Sequence, residues 1–376
     1  MSFLSDRVSA LAPSIIREMS YRRRETSINL SIGEPKLTPD DGLLDRAWEE
    51  LRSGPQGYTH NAGLENLRDA IGKHYGFKNK QSPENVIVTV GSEEAVFLAM
   101  LSTLNPGDEV LIPEPGYPAY RGLAGLIGAV PVAYPIERET GLVPRAEAIR
   151  ARVTDKSKLL ILNGPSNPFG QVDTAEELQA IATVAEEHEL VIVSDEIYRE
   201  IYFGETPPPT VMDYTDRAIF VSGLSKCCAM TGLRLGYIIA DQEFIKKATL
   251  AHQLIVTCAP RLSQLVALEV FKAPEYLRRQ VNYYAKTRNA MNEGRGDLPS
   301  DVPFLLGDGA FYAILDVSQR TKDPLKYAIE LLEAEDVVVV PGTAFGSTGD
   351  WFWRLSYAAG PDTVREGLHR IARFLR

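Results

Sequence analysis

The chain has 376 residues, 44% of them hydrophobic and 24% charged, ordinary globular proportions that allow a large core and two lobes. With 40 Lys and Arg against 50 Asp and Glu, the formal charge of -10 disfavours general nucleic-acid binding, because phosphate would be repelled. Three cysteines, Cys227, Cys228 and Cys258, make no disulfide framework and point to a reducing cytoplasm, and no apolar run approaches the roughly 18 residues of a membrane span.

Taken in order, the N-terminal stretch lacks the features of a secretory signal, and its basic run Arg22 to Arg24, followed by Glu25, suits a solvated helix end. From Val86 onward, short β-rich runs alternate with helical stretches. Val86 to Val90, Val110 to Ile112, Leu159 to Leu162, Leu190 to Ser194 and Ala218 to Ser222 are the expected strands; Glu93 to Leu104 and Thr174 to Glu189 are expected helices. Such alternation predicts a mostly parallel sheet covered by helices on both faces. Pro274 opens an amphipathic stretch to about Glu293, after which short strands (Ala310 to Leu315, Val337 to Val340, Phe352 to Ser356) mix with helices in a smaller α+β lobe. The expected division is a large domain over 41–280 and a small one formed by 1–40 with 281–376.

Four segments carry candidate chemistry. Val221-Ser222-Gly223-Leu224-Ser225-Lys226 ends a β-rich run in small residues and a single lysine, which can form a Schiff base if burial or nearby positive charge lowers its pKa. Arg234, eight residues on, can grip a phosphate with its planar fork, although a surface lysine near an arginine is the bland alternative. Val191 to Tyr198 delivers Asp195 and then a phenol, Tyr198. A carboxylate there can hold a pyridinium nitrogen protonated, or simply cap the next helix. Asn163-Gly164-Pro165-Ser166-Asn167-Pro168 follows a strand, where open α/β sheets bind ligands; an ordinary turn has the same composition. Val90-Gly91-Ser92-Glu93 reads as strand, glycine turn and helix start, a phosphate cradle or a common βα turn.

In their joint order these segments resemble a fold-type I, class I/II aminotransferase of the aspartate aminotransferase superfamily. Ile32-Gly33-Glu34-Pro35, Tyr58, Gly309-Ala310-Phe311-Tyr312 and Arg354-Leu355-Ser356-Tyr357 extend the similarity over nearly the whole chain. The resemblance implies an α/β large domain with a mostly parallel seven-stranded sheet and a smaller α+β domain. It implies pyridoxal 5'-phosphate held by Lys226 as a Schiff base, with Lys226 also the proton carrier. Asp195 would pair with the ring nitrogen, Asn167 and Tyr198 with the ring oxygen, and Arg234 with the N–H groups of Gly91, Ser92 and Glu93 would hold the phosphate. Tyr117 would stack on the ring, while Arg354 and Gly33 would receive the substrate carboxylate. Tyr58 would reach the phosphate of a neighbouring subunit, which implies a homodimer with shared sites. The expected reaction moves an amino group between an amino acid and a 2-oxo acid such as 2-oxoglutarate.

Some positions depart from the family pattern. Gly223 stands where a phosphate-binding serine is frequent, Phe169 where threonine is usual, and Cys227 and Cys228 follow the lysine. Glu93 occupies a position where aspartate-using relatives tend to carry lysine, so a neutral or aromatic donor is expected; Arg261 is a candidate substitute cation. The same cofactor and lysine also serve carbon–sulfur β-lyases, the main alternative, and cyclopropane-forming synthases and decarboxylases. A transcription regulator lacks its DNA-binding head before Leu30. The five histidines (His60, His74, His188, His252, His369) lack paired metal-ligand spacing, and no G-x-S-x-G turn supports a serine hydrolase.

Overall fold

Seven strands of almost uninterrupted apolar residues form the central sheet of the computed structural model, which describes residues 3–35, 37 and 41–376. They are β1 (Val86–Thr89), β2 (Glu109–Glu114), β3 (Val130–Pro135), β4 (Ser157–Asn163), β5 (Val191–Asp195), β6 (Ala218–Gly223) and β7 (Gly236–Ile239). Their spatial order is β1-β7-β6-β5-β4-β2-β3, with every pair parallel except those that β7 makes with β1 and β6. Successive residues of a strand point to opposite faces. Accordingly Val86, Val88, Leu160, Leu162, Ile192 and Phe220 enter one core, while Ile87, Leu159, Ile161, Val193, Ile219 and Val221 enter another. Both faces are therefore apolar, which is why these strands lack polar alternation.

The expected parallel sheet is present, and two strands lie outside the sequence expectation. β3, Val-Pro-Val-Ala-Tyr-Pro, contains prolines that weaken a strand signal, and it sits at the sheet edge, where a missing donor is tolerated. β7 follows Arg234 with only Leu235 between and runs antiparallel, breaking the strand–helix rhythm used to find the others.

In the C-terminal lobe, β8 (Phe304–Leu306), β9 (Tyr312–Asp316), β10 (Val340–Pro341) and β11 (Phe352–Ser356) form an antiparallel sheet in the order β10-β11-β9-β8. The expected strand Val337 to Val340 is split: Val337–Val338 pairs in parallel with Ile28–Asn29, and Val340 begins β10. This pairing ties the N-terminal segment to the C-terminal lobe. Helix Pro274–Gly294, of 21 residues, runs unbroken through the expected limit at 280 and links the lobes.

β7 also braces the turn after β1. A Cβ on Gly236 would collide with the Gly91 carbonyl carbon and the Ser92 nitrogen, so only hydrogen fits there. Gly236→Ala is expected to cost about 1–3 kcal/mol, the usual penalty of overpacking. A thermal unfolding scan reads this directly, and an unshifted midpoint would contradict the contact.

Candidate active site

The carboxyl ends of parallel strands collect polar residues because each strand must leave the apolar sheet there. β4 ends in Asn163, β5 in Asp195, and β6 leads within three residues of its end to Lys226. Together with Arg354 of β11 they border one cavity of about 570 Å³ between the sheet and the C-terminal lobe. The sequence-expected residues Gly33, Ser92, Glu93, Tyr117, Asn167, Tyr198 and Arg234 also line it.

Lys226 Nζ donates to the Gly33 carbonyl at 2.8 Å. Burial first, then the positive charges of Arg354 and Arg234, lower its pKa from 10.5 to about 8, although Glu34 and Glu93 pull the other way. The amine is thus neutral, and nucleophilic, far more often than an exposed lysine.

Asp195 is 5% exposed, and burial raises its pKa to about 6 against the stabilising hydrogen bonds from the Tyr120 hydroxyl, at 2.6 Å, and the Ile197 amide, at 3.3 Å. At neutral pH it remains a carboxylate able to meet a cationic N–H. The Asn163 side chain donates to the Asp195 carbonyl and accepts from the Asn167 amide, so one asparagine joins the ends of β4 and β5 to the following loop. Tyr198 shares a 2.6 Å hydrogen bond with Tyr312, and burial followed by Tyr312 pushes its pKa up, keeping it a phenol.

Arg354 is 2% exposed yet has no carboxylate partner among the described residues. Its Nη1 donates to Asn167 Oδ1 at 2.8 Å and its Nη2 to the Ser31 carbonyl, while Nε is buried without a partner. The guanidinium lies 4.3 Å from the Tyr312 ring centroid and 4.9 Å from that of Phe345. Burial lowers its pKa, but a guanidinium stays charged, so an anion is the missing partner.

A second anion seat forms where Gly91, at φ 82°, begins helix Ser92–Thr103. Free N–H groups at a helix start attract anions, and Arg234 stands so close that a Cβ on Gly91 would collide with its guanidinium. An acid, two phenols, an amine at about 8 and an anion cradle fit a phosphorylated pyridine aldehyde group for group.

Tyr58 is 86% exposed and does not line its own chain's cavity, and neither does Arg261. Three contributors escaped sequence reasoning: Tyr120, the phenol on Asp195; Tyr312, the phenol on Tyr198; and Arg17, which lines the cavity from helix Ile15–Arg22. Tyr312 sits inside the Gly-Ala-Phe-Tyr run, the one local signal available. The others lie far along the chain from what they serve.

Residues 25–371 match the family model of aminotransferase class I and II. The chain is 36% identical over 382 residues to a putative aminotransferase, YugH, of Bacillus subtilis, covering 100% of this chain and 98% of that protein. It is 34% identical to the aspartate/prephenate aminotransferase of Thermus thermophilus, covering 100% and 99%. Among solved structures, the Thermus thermophilus aspartate aminotransferase with maleate superposes with a TM-score of 0.92 at 32% identity over the whole of both chains. An aminotransferase from Mycobacterium tuberculosis gives 0.92 at 29% identity, covering 100% of this chain and 99% of that one. The chain accordingly belongs to the class I and II aminotransferases and is a pyridoxal-phosphate-dependent transaminase.

Proposed function

We propose that the enzyme transfers the amino group of a neutral or aromatic L-amino acid to 2-oxoglutarate, with Lys226 as cofactor anchor and proton carrier. The observation that carries the site assignment is that Lys226, half-buried with a lowered pKa, and Arg354, buried, face the same cavity as Asp195. When bound, pyridoxal phosphate supplies an electron sink in its protonated ring. Asp195 would hold that ring nitrogen protonated, and Tyr198 and Asn167 would serve the ring oxygen. Arg234 and the N–H groups of Gly91, Ser92 and Glu93 would hold the phosphate, and Tyr117 would meet the ring. Arg354 receives the substrate α-carboxylate as a bidentate fork, supported by its orphaned Nε and the absence of a carboxylate among its described partners, with Gly33 beside it. Lys226 Nζ would carry the proton at the substrate Cα, its reduced pKa matching a base that works near neutrality.

The exposure of Tyr58 supports its service to a second subunit's phosphate in a cytoplasmic homodimer. Donor choice rests on Glu93, which lines the cavity and repels a second carboxylate, whereas relatives at 32–34% identity are named aspartate or aspartate/prephenate aminotransferases.

Three outcomes test these assignments. Purified wild type supplied with the cofactor should show a visible band that an amino-acid pool bleaches to a shorter wavelength. Lys226→Ala should lack that cycle and lose activity by at least about 10²- to 10⁴-fold; retained turnover would end the anchor assignment. Cofactor capture should follow the neutral amine, so its rate rises with pH and levels off above about 8, because the lowered pKa frees the lone pair there. Stopped-flow capture between pH 6 and 10 measures this, and a midpoint at the ordinary lysine value of 10.5 would contradict it. In a donor screen, aspartate should trail neutral and aromatic amino acids, and Glu93→Lys should raise kcat/KM for aspartate about tenfold or more by exchanging repulsion for a charge-assisted hydrogen bond. Aspartate reacting fastest in wild type would sink the donor assignment.

A further inference from the structure

A cavity that admits uncharged donors beside Glu93 must still accept the distal carboxylate of 2-oxoglutarate. Of the cations on its wall, Arg354 is buried, Lys226 is half-buried with its amine on the Gly33 carbonyl, and Arg234 stands against the Gly91 turn. Arg17 is the remaining one among the described residues. It lies in the first turn of helix Ile15–Arg22, where the Ser14 hydroxyl accepts from the Arg17 amide at 3.4 Å and fixes the helix start. Ile15 and Ile16 pack against the apolar cluster of Phe169, Val340, Phe345 and Phe352, so this helix is seated on the C-terminal lobe at the cavity wall.

The Arg17 guanidinium has no hydrogen-bond or ion-pair partner among the described residues, while the neighbouring Arg22 is held by Glu18 at 2.7 Å. Arg17 and Glu93 act on one group from different elements. The ionisation of Tyr117 is pushed up by burial and by Glu93 and drawn down by Arg17, so both charges are within electrostatic reach of the same phenol. They nevertheless form no salt bridge with each other, which leaves each open to a ligand.

We propose that Arg17 is the specificity residue that receives the distal carboxylate of 2-oxoglutarate. Uncharged side chains lie between Arg17 and Glu93, whose charges offset one another. A distal carboxylate turns away from Glu93 and pairs with the Arg17 fork, the geometry for which a guanidinium is suited. One pocket thereby serves a neutral donor and an acidic acceptor in alternating half-reactions. The proposal rests on 2-oxoglutarate being the acceptor, but it concerns the oxo-acid side only.

The test uses the cofactor-loaded enzyme and compares wild type, Arg17→Gln and Arg17→Lys with 2-oxoglutarate and with pyruvate, which has no second carboxylate. The ratio of kcat/KM for 2-oxoglutarate to that for pyruvate should fall about tenfold to a hundredfold in Arg17→Gln, the worth of a charge-assisted hydrogen bond, and recover partly in Arg17→Lys. Glutarate, titrated against the visible cofactor band without turnover, should bind more weakly to Arg17→Gln by a similar factor. An unchanged ratio with unchanged glutarate affinity overturns the assignment, as does an equal loss for both oxo acids, which marks a structural role. If wild type prefers aspartate as donor, the donor assignment fails while the glutarate result still decides the role of Arg17.

Discussion

A guanidinium taken out of water with no carboxylate beside it among the described residues is the constraint on which this structure turns. Arg354 is as deeply buried as the hydrophobic core, yet its contacts are an amide oxygen, a carbonyl and two aromatic faces. Dipoles and ring quadrupoles soften the cost of desolvation without cancelling the charge. The remaining demand for an anion is what a substrate α-carboxylate would satisfy under the proposed assignment. A carboxylate side chain in its place would have made a more stable fold and a closed site.

That demand shapes the elements around it. Arg354 sits mid-strand in β11, between Val340 of β10 and Ile314 of β9, so the small sheet fixes its backbone on both sides. Its Asn167 partner belongs to a loop whose amide is anchored by Asn163 at the end of β4. The same Asn163 bonds the Asp195 carbonyl, so the cation of β11 and the acid of the large sheet are registered through the side chains of two asparagines, Asn167 and Asn163. Lys226 is held from a third direction: its Nζ meets the Gly33 carbonyl, on the segment that Ile28–Asn29 ties to the C-terminal lobe. Each lobe thus contributes half of the charge pattern, and their mutual position sets the distance between the amine and the guanidinium.

How much of this was legible in the sequence follows from the range of each interaction. Lys226, Asp195 and Asn167 stood out because a polar residue just beyond an apolar strand is a local pattern, and parallel strands place such ends on one edge. Tyr120 was invisible for the opposite reason: it is one tyrosine of an amphipathic helix, and only the packing of helix Ala119–Ile127 brings its hydroxyl to Asp195, 75 residues away in sequence. Arg17 lay in a stretch read only for what it lacked, and its place at the cavity depends on two isoleucines docking on strands more than 300 residues further on. The edge strand β3 was hidden by its prolines, and the split of Val337 to Val340 between two sheets by an unbroken run of valines that fits either.

The pair Tyr198 and Tyr312 shows how the neutral part of the site complements the charged part. Two phenols 2.6 Å apart cannot both be ionised, and burial raises the pKa of each, so both remain donors at working pH. One proton is used between them, and the second is free to point into the cavity. Arg354 lies over the Tyr312 ring at 4.3 Å, so the cation and the pair of phenols pack as one unit. The small residue at position 33 belongs to the same arrangement, since a Cβ there would collide with the Tyr312 hydroxyl and force the phenol off Tyr198. Glycine is therefore required at position 33 for its missing side chain, while its backbone carbonyl, which any residue would supply, holds the lysine.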